Sequence, residues 1–239
     1  MNEHQLSKRL SAVASLIPNG SRIADIGSDH AYLPIHLILQ GKISLAIAGE
    51  KNDGPYQLAK SNVKKFGLTS VIEVRKGDGL EVIEPGEVDV VVIAGMGASL
   101  IVQILENGLE KLAQVKRIVV QPNLAAHLLR RWFMEHGWEL KEEKIIEEDE
   151  QFYEILMAEP GDGQAPYLGL GEREMEQALL MGPYLLKEKN EVFLDKWTGE
   201  LRKRKRIIAS LEQARGEEKE ERLHVILEEK KLIEEALSR

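Results

Sequence analysis

Between Ser21 and Glu159 the chain alternates short apolar, often β-branched runs with amphipathic stretches. Candidate strands are Arg22–Ile26, Leu45–Gly49, Ile72–Arg75, Val88–Ala94 and Ile118–Gln121. Helical spacing fills the gaps over Leu33–Gln40, Pro55–Phe66, Ser99–Leu112 and Leu124–His136, with Gly or Asn where a helix has to stop. Parallel neighbours need a crossover, and a helix supplies it, so strand and helix in turn predict an α/β fold on a parallel sheet.

Two more runs, Trp138–Ile146 and Phe152–Glu159, flank the acidic stretch Glu147-Glu148-Asp149-Glu150 and predict an antiparallel hairpin at one sheet edge. Ahead of the first strand, Leu6, Leu10, Val13 and Ile17 form one helical face, stopped by Pro18-Asn19-Gly20. After Pro160-Gly161-Asp162-Gly163 strands cease and Glu, Lys, Arg and Leu dominate. That shift predicts two domains, residues 1–160 and 161–239. In the second, Leu194, Trp197, Leu201, Ile208 and Leu211 form one a/d-like series and Leu223, Ile226, Ile233 and Leu237 another. A turn at Arg215-Gly216-Glu217 makes them a coiled-coil-like helical hairpin, whose seams leave open a monomer or a weak dimer.

Composition narrows the chemistry. With no cysteine and six scattered histidines, thiolate zinc sites and a cysteine nucleophile are excluded and a metal-free site is expected. The first residues lack an apolar signal core, and no run of about 18 apolar residues occurs, so a cytoplasmic protein with no membrane partner is expected. A net charge of −8 disfavours indiscriminate nucleic-acid binding. A local basic patch still acts within a Debye length of about 10 Å, and Arg202, Lys203, Arg204, Lys205 and Arg206 form an unbroken one. Lys8, Arg9, Arg130 and Arg131 are candidates to extend it, although a solvated helix face explains the run equally well.

The strongest local signal is Ile23-Ala24-Asp25-Ile26-Gly27-Ser28-Asp29-His30-Ala31, a strand entering a glycine turn just before a helix. Ligands of α/β sheets bind there, beyond strand carboxyl ends. A dinucleotide fingerprint needs a second glycine two residues after Gly27; Asp29 stands there instead, and its carboxylate repels phosphate. S-adenosylmethionine has no phosphate and a positive end, which Asp25 and Asp29 suit. Glu50, ending the second strand, is placed to accept hydrogen bonds from ribose hydroxyls, with Lys51 counted in the same site. Asp78, followed by Gly79, is the candidate adenine ligand, and Gly95-Met96-Gly97 lets backbone and the Met96 side chain close on a flat ligand.

The order Asp-x-Gly, Glu50, Asp78 and Gly-Met-Gly resembles the class I S-adenosylmethionine methyltransferases over residues 21–158. That likeness implies a Rossmann-like sheet with helices on both faces. More narrowly, Asp25 to Pro34, Ala94-Gly95-Met96-Gly97 and Gln121-Pro122-Asn123 resemble the bacterial tRNA adenine-22 N1-methyltransferase family, as does the C-terminal appendage. The resemblance implies methylation of adenine N1 in the D-arm region of tRNA. Because N1 carries an in-plane lone pair, positioning and desolvation weigh more than a strong base. Asp29 and Asn123 are then expected to orient the base, His30 and Tyr32 to line or stack in the pocket, and Gln121 to support them. Two rivals stay open: a methyltransferase for a small molecule or protein, and a non-enzymatic RNA-binding scaffold.

Overall fold

The computed structural model describes residues 6–213 and 218–238. Strands β1 (Ser21–Ile26), β2 (Ile43–Glu50), β3 (Ile72–Lys76), β4 (Val90–Met96) and β5 (Arg117–Pro122) run parallel. The hairpin of β6 (Trp138–Glu148) and β7 (Gln151–Pro160) closes the edge antiparallel, in the order β3-β2-β1-β4-β5-β7-β6. Helices α1 (Lys8–Ser15), α2 (Tyr32–Leu39), α3 (Asp53–Lys65), α4 (Ala98–Asn107) and α5 (Ala126–Glu135) cover both faces. With both faces covered, central strands are apolar throughout: Ile23, Ala24, Val91, Val92, Ile93, Val119 and Val120 are all buried. From β1 the chain steps outward through β2 and β3, then returns to β4 on the other side. Strand order therefore reverses between β1 and β4, and their carboxyl ends splay into a crevice.

Two compact units are formed, Met1–Pro166 and Tyr167–Arg239. In the second, α8 (Glu191–Gln213) and α9 (Glu218–Ser238) pack together. Phe193, Trp197, Ile208, Leu232, Ile233 and Ala236 are buried, and Arg204 Nε lies 2.9 Å from Glu229. The turn expected at Arg215-Gly216-Glu217 falls outside the described residues.

Strand and helix limits shift by a few residues from those the sequence predicts, and some of the shifts have a clear cause. Helix α5 starts at Ala126, not Leu124, because Ala125 adopts φ +60°, which a helix cannot continue; Leu124 stands exposed in the preceding loop. Helix α4 ends at Asn107 where Gly108 intervenes, leaving Leu109–Leu112 as a separate 3-10 turn. Before the long pair come α6 (Glu172–Met181) and α7 (Pro183–Glu188), absent from the sequence reading. Gly182 at φ +99° followed by Pro183 cuts what would otherwise read as one polar stretch.

Arg130 requires a correction. Expected on an RNA-facing surface, it lies fully buried on the inward face of α5 beside Leu129 and Phe133. Its Nε is 2.7 Å from Glu143 Oε1, and its Nη2 donates to Glu154. Both carboxylates point inward from the hairpin strands and are themselves buried. Helical spacing alone already put residue 130 on the apolar face; the missing signal was the pair of acids that makes a charge tolerable there. Arg130→Ala removes the buried cation that Glu143 and Glu154 share, and should lower unfolding free energy by about 3–5 kcal/mol, read as a shift in the urea midpoint.

Candidate active site

The crevice beyond β1 is built by one sharp turn. Gly27 takes φ +71°, and its N–H and that of Ser28 donate to the carbonyl of Gly49 at 2.9 and 3.2 Å, tying the turn to β2. A Cβ at Gly27 would stand 2.1 Å from Cε of Met96, so only glycine lets the Met96 methyl close over the turn. Asp29 and Ala31 follow with φ +54° and +57°, left-handed conformations that non-glycine residues hold only when their surroundings fix them.

Four hydrogen bonds fix this turn. Ser28 Oγ donates to Asp25, the Asp29 N–H donates to Glu50 Oε1, the Ala31 N–H reaches the Ser28 carbonyl at 3.0 Å, and Asn62 Nδ2 holds the His30 carbonyl at 3.0 Å. His30 then stacks on Tyr32 with ring centroids 4.9 Å apart and planes 5° from parallel. Its Nε2 lies 3.4 Å from the exposed carboxylate of Asp29.

A cavity of about 430 Å³ opens over this turn, lined among others by Arg9, Asp25, Asp29, His30, Tyr32 and Gly95. Asp25 and Glu50 are 5% and 7% exposed, and among the described residues neither is paired with a cation. Burial pushes the Asp25 carboxyl up to about 6, partly offset by the Ser28 hydroxyl and raised further by the Glu50 charge. Glu50 is also pushed up, by burial and the charge of Asp29, against the Asp29 N–H bond. With the Arg9 guanidinium engaged by Gln121, these acids keep an unpaired negative charge at the turn, unsuited to a pyrophosphate and suited to a cationic nucleoside.

Glu50 ends β2 beside β3, and Nζ of the next residue, Lys51, contacts Asp78 Oδ2 at 2.6 Å. Asp78 also opens the 3-10 turn Gly79–Val82, its N–H bonding Glu81 at 3.0 Å, with Ile104 beneath Gly79. Across the crevice Gly95 takes φ +79°, and Gly97 precedes α4. Fully buried Gln121 ties β5 to this turn by accepting from the Gly95 N–H at 3.1 Å. Asn123 clasps it from outside: its Nδ2 donates to the Gly95 carbonyl at 2.9 Å and its N–H to the Met96 carbonyl at 2.7 Å.

The structure therefore gathers Asp25, Gly27, Asp29, His30, Tyr32, Glu50, Gly95, Met96, Gln121 and Asn123 around one crevice, with Lys51, Asp78 and Gly79 at the adjoining strand ends. It also brings Arg9 there, expected only as part of a basic surface: Nη1 donates to Gln121 Oε1 at 2.6 Å. Ser28, the partner of Asp25, escaped the sequence reading although a hydroxyl three residues after a buried acid was a usable signal. Among the described residues no group of three or more His, Asp or Glu is arranged to hold a metal ion, and no helix is long and apolar enough to cross a membrane.

Residues 23–235 match the family model described as TrmK, tRNA (adenine(22)-N(1))-methyltransferase. The chain is 48% identical over 238 residues, 99% of each chain, to the tRNA (adenine(22)-N(1))-methyltransferase of Bacillus subtilis. The chain belongs to this family. The crystal structure of Bacillus subtilis TrmK superposes with a TM-score of 0.92, covering 98% of this chain and 99% of that one. Another solved relative, Streptococcus pneumoniae Sp1610 in complex with S-adenosyl-L-methionine, is 41% identical with a TM-score of 0.85, covering 98% and 100%. For a TrmK family member, a buried, cation-free acid pair at the reversal of strand order is the feature to test first.

Because its pKa is raised on folding, Asp25 adds stability below about pH 4 that is lost as pH rises through about 6. Asp25→Asn removes that loss. Its melting temperature relative to the unsubstituted chain should rise between pH 4.5 and 7.5 in calorimetric scans without ligand.

Proposed function

We propose that this chain, acting in the cytoplasm, transfers the methyl group of S-adenosylmethionine to N1 of adenine 22 in the D-arm of tRNA. The observation that carries the reading is the buried, cation-free pair Asp25 and Glu50 at the carboxyl ends of β1 and β2, in a chain whose residues 23–235 match the family. When bound, S-adenosylmethionine supplies an electrophilic methyl on a sulfonium. Glu50 keeps one oxygen beyond its bond to the Asp29 N–H, fitting a ribose hydroxyl, while Asp25 and Asp29 offer negative charge to the cationic portion. Asp78 with Lys51, on the adjoining strand ends, borders the adenine side. Gly27 lets the Met96 side chain close against the turn, where its thioether offers a packing surface for a flat group.

The target base needs orientation more than deprotonation, since its N1 lone pair already points outward. Asp29, its side chain 66% exposed at the mouth, is placed to accept from the adenine amino group, and it favours the cationic N1-methyl product. The parallel rings of His30 and Tyr32 form a flat wall for a base extruded from the tRNA stack. Asn123 works through its clasp on Gly95, keeping the β4 and β5 turns in register.

Within the basic run the free charge is narrower than five residues. Lys203 and Arg204 pair with Glu200 at 2.8 and 2.6 Å, and Lys205 with Glu234 at 3.1 Å. Arg202 and Arg206 have no carboxylate partner among the described residues, and Arg131 is likewise exposed. These three are the phosphate contacts of this reading.

Incubation with unmodified tRNA and labelled cofactor, then nuclease digestion and mass spectrometry, should give N1-methyladenosine at position 22 and none on a transcript with guanine there. Label on the guanine transcript, or turnover without RNA, contradicts the substrate. Cofactor affinity by calorimetry should fall as pH drops below about 6, where Asp25 protonates, and lose that dependence in Asp25→Asn. The double variant Arg202→Ala and Arg206→Ala should weaken tRNA binding and flatten the log–log salt slope by about 1 per lost phosphate contact.

A further inference from the structure

Helix α1 lies outside the alternating strand-helix core, yet Arg9 and Leu10 form part of the wall of the crevice. Its N-terminal turn is pinned from the far edge of the sheet. Glu148, the last residue of β6, accepts from the backbone N–H groups of Lys8 and Arg9 at 2.5 and 3.4 Å, while Ser7 caps the same turn by accepting from the Leu10 N–H at 3.2 Å. A carboxylate at a helix N-terminus also meets the positive end of the helix dipole. From this anchored turn the Arg9 guanidinium lies 5.5 Å from the centroid of the Tyr153 ring and bonds Gln121. Gln121 Oε1 is shared between Arg9 and the N–H of Gly95, and its Nε2 donates to the Pro122 carbonyl at 2.9 Å. One buried amide thus joins α1 to both turns that close the crevice opposite Asp25.

We infer that Arg9 is a positioning residue for the methyl acceptor, acting through Gln121 on the Gly95 and Asn123 turns, and that Glu148 sets Arg9 by fixing the first turn of α1. The inference deepens the reading of this crevice as the tRNA methylation site and rests on it. Charge supports it: Arg9 is a cation in a cavity that Asp25 and Asp29 also line, and its bond to Gln121 and its place over Tyr153 hold it on the opposite wall. It also explains a conformational feature. Gly95 is held at φ +79° with the Arg9 Nη1 only 3.3 Å from where a Cβ would stand, so that turn is shaped around the arginine.

The test uses the full chain, an unmodified tRNA transcript and S-adenosylmethionine, measuring kcat and KM for each substrate, cofactor Kd by calorimetry, and melting temperature. Misplacement of the acceptor by a fraction of an ångström predicts that Arg9→Ala loses about 10- to 100-fold in kcat/KM for tRNA, while cofactor Kd changes less than about threefold. Arg9→Lys, which keeps a donor for Gln121, should recover part of that loss. Glu148→Gln, remote from the crevice, should lower kcat/KM for tRNA in the same direction by a smaller factor, again with cofactor affinity intact. Unchanged tRNA kinetics in Arg9→Ala overturn the inference. So does a loss matched by an equal loss of cofactor affinity and not recovered by Arg9→Lys, since that marks a purely structural contact. Should Arg9→Ala fail to fold, Arg9→Lys and Glu148→Gln decide. Failure of the unsubstituted chain to methylate tRNA counts against the substrate reading and is seen before any variant is made.

Discussion

Two buried carboxylates at the ends of neighbouring parallel strands govern the rest of this molecule. Removing Asp25 and Glu50 from water without a cation is unfavourable, and the surrounding turn limits that cost with a hydroxyl and a backbone N–H rather than with a lysine or arginine. To place those two donors, the chain carries Asp29 and Ala31 in left-handed conformations and needs glycine at position 27. Local strain and uncompensated charge persist because the sheet beneath, buried on both faces, over-determines the backbone above it. What results is a fixed negative crevice before any ligand arrives.

Around that crevice two turns are braced by different means. The β1 turn is held by acids accepting from backbone and hydroxyl groups; the β4 turn is held by the Gln121 and Asn123 amides and, through them, by α1 and the β6–β7 hairpin. On the proposed reading, elements that look peripheral in chain order bear on the methyl acceptor side, while the parallel core bears on the cofactor side. Such division lets one sheet keep a constant cofactor site while the acceptor wall varies with the segments outside it.

Much of this was legible in the sequence where cause and effect are local. Asp25, Gly27, Glu50 and the Gly95-Met96-Gly97 turn announce themselves because a strand, a turn and an acid occur within a few residues of each other. What escaped depends on distant partners. Arg9 meets Gln121 across more than a hundred residues, and nothing near Arg9 signals it. Arg130 reads as surface charge in the sequence because its partners, Glu143 and Glu154, come from two distant strands. The bond from Asn123 to the Gly95 carbonyl has no signal in the sequence either, since it is set by how β4 and β5 end side by side. The basic run shows a similar limit, since composition cannot tell which cations Glu200 and Glu234 already occupy.

Selection of a cationic nucleoside over a phosphate-bearing one is the central claim, and a competition measurement tests it most directly. Titrated calorimetrically, the chain should bind S-adenosylmethionine at one site per molecule, and a large excess of NAD should leave that isotherm unchanged. Glu50→Gln should weaken S-adenosylmethionine binding without opening the site to the dinucleotide. Displacement of S-adenosylmethionine by NAD at comparable concentration would contradict the assignment of the crevice, because a site that tolerates pyrophosphate cannot owe its selectivity to Asp25, Asp29 and Glu50.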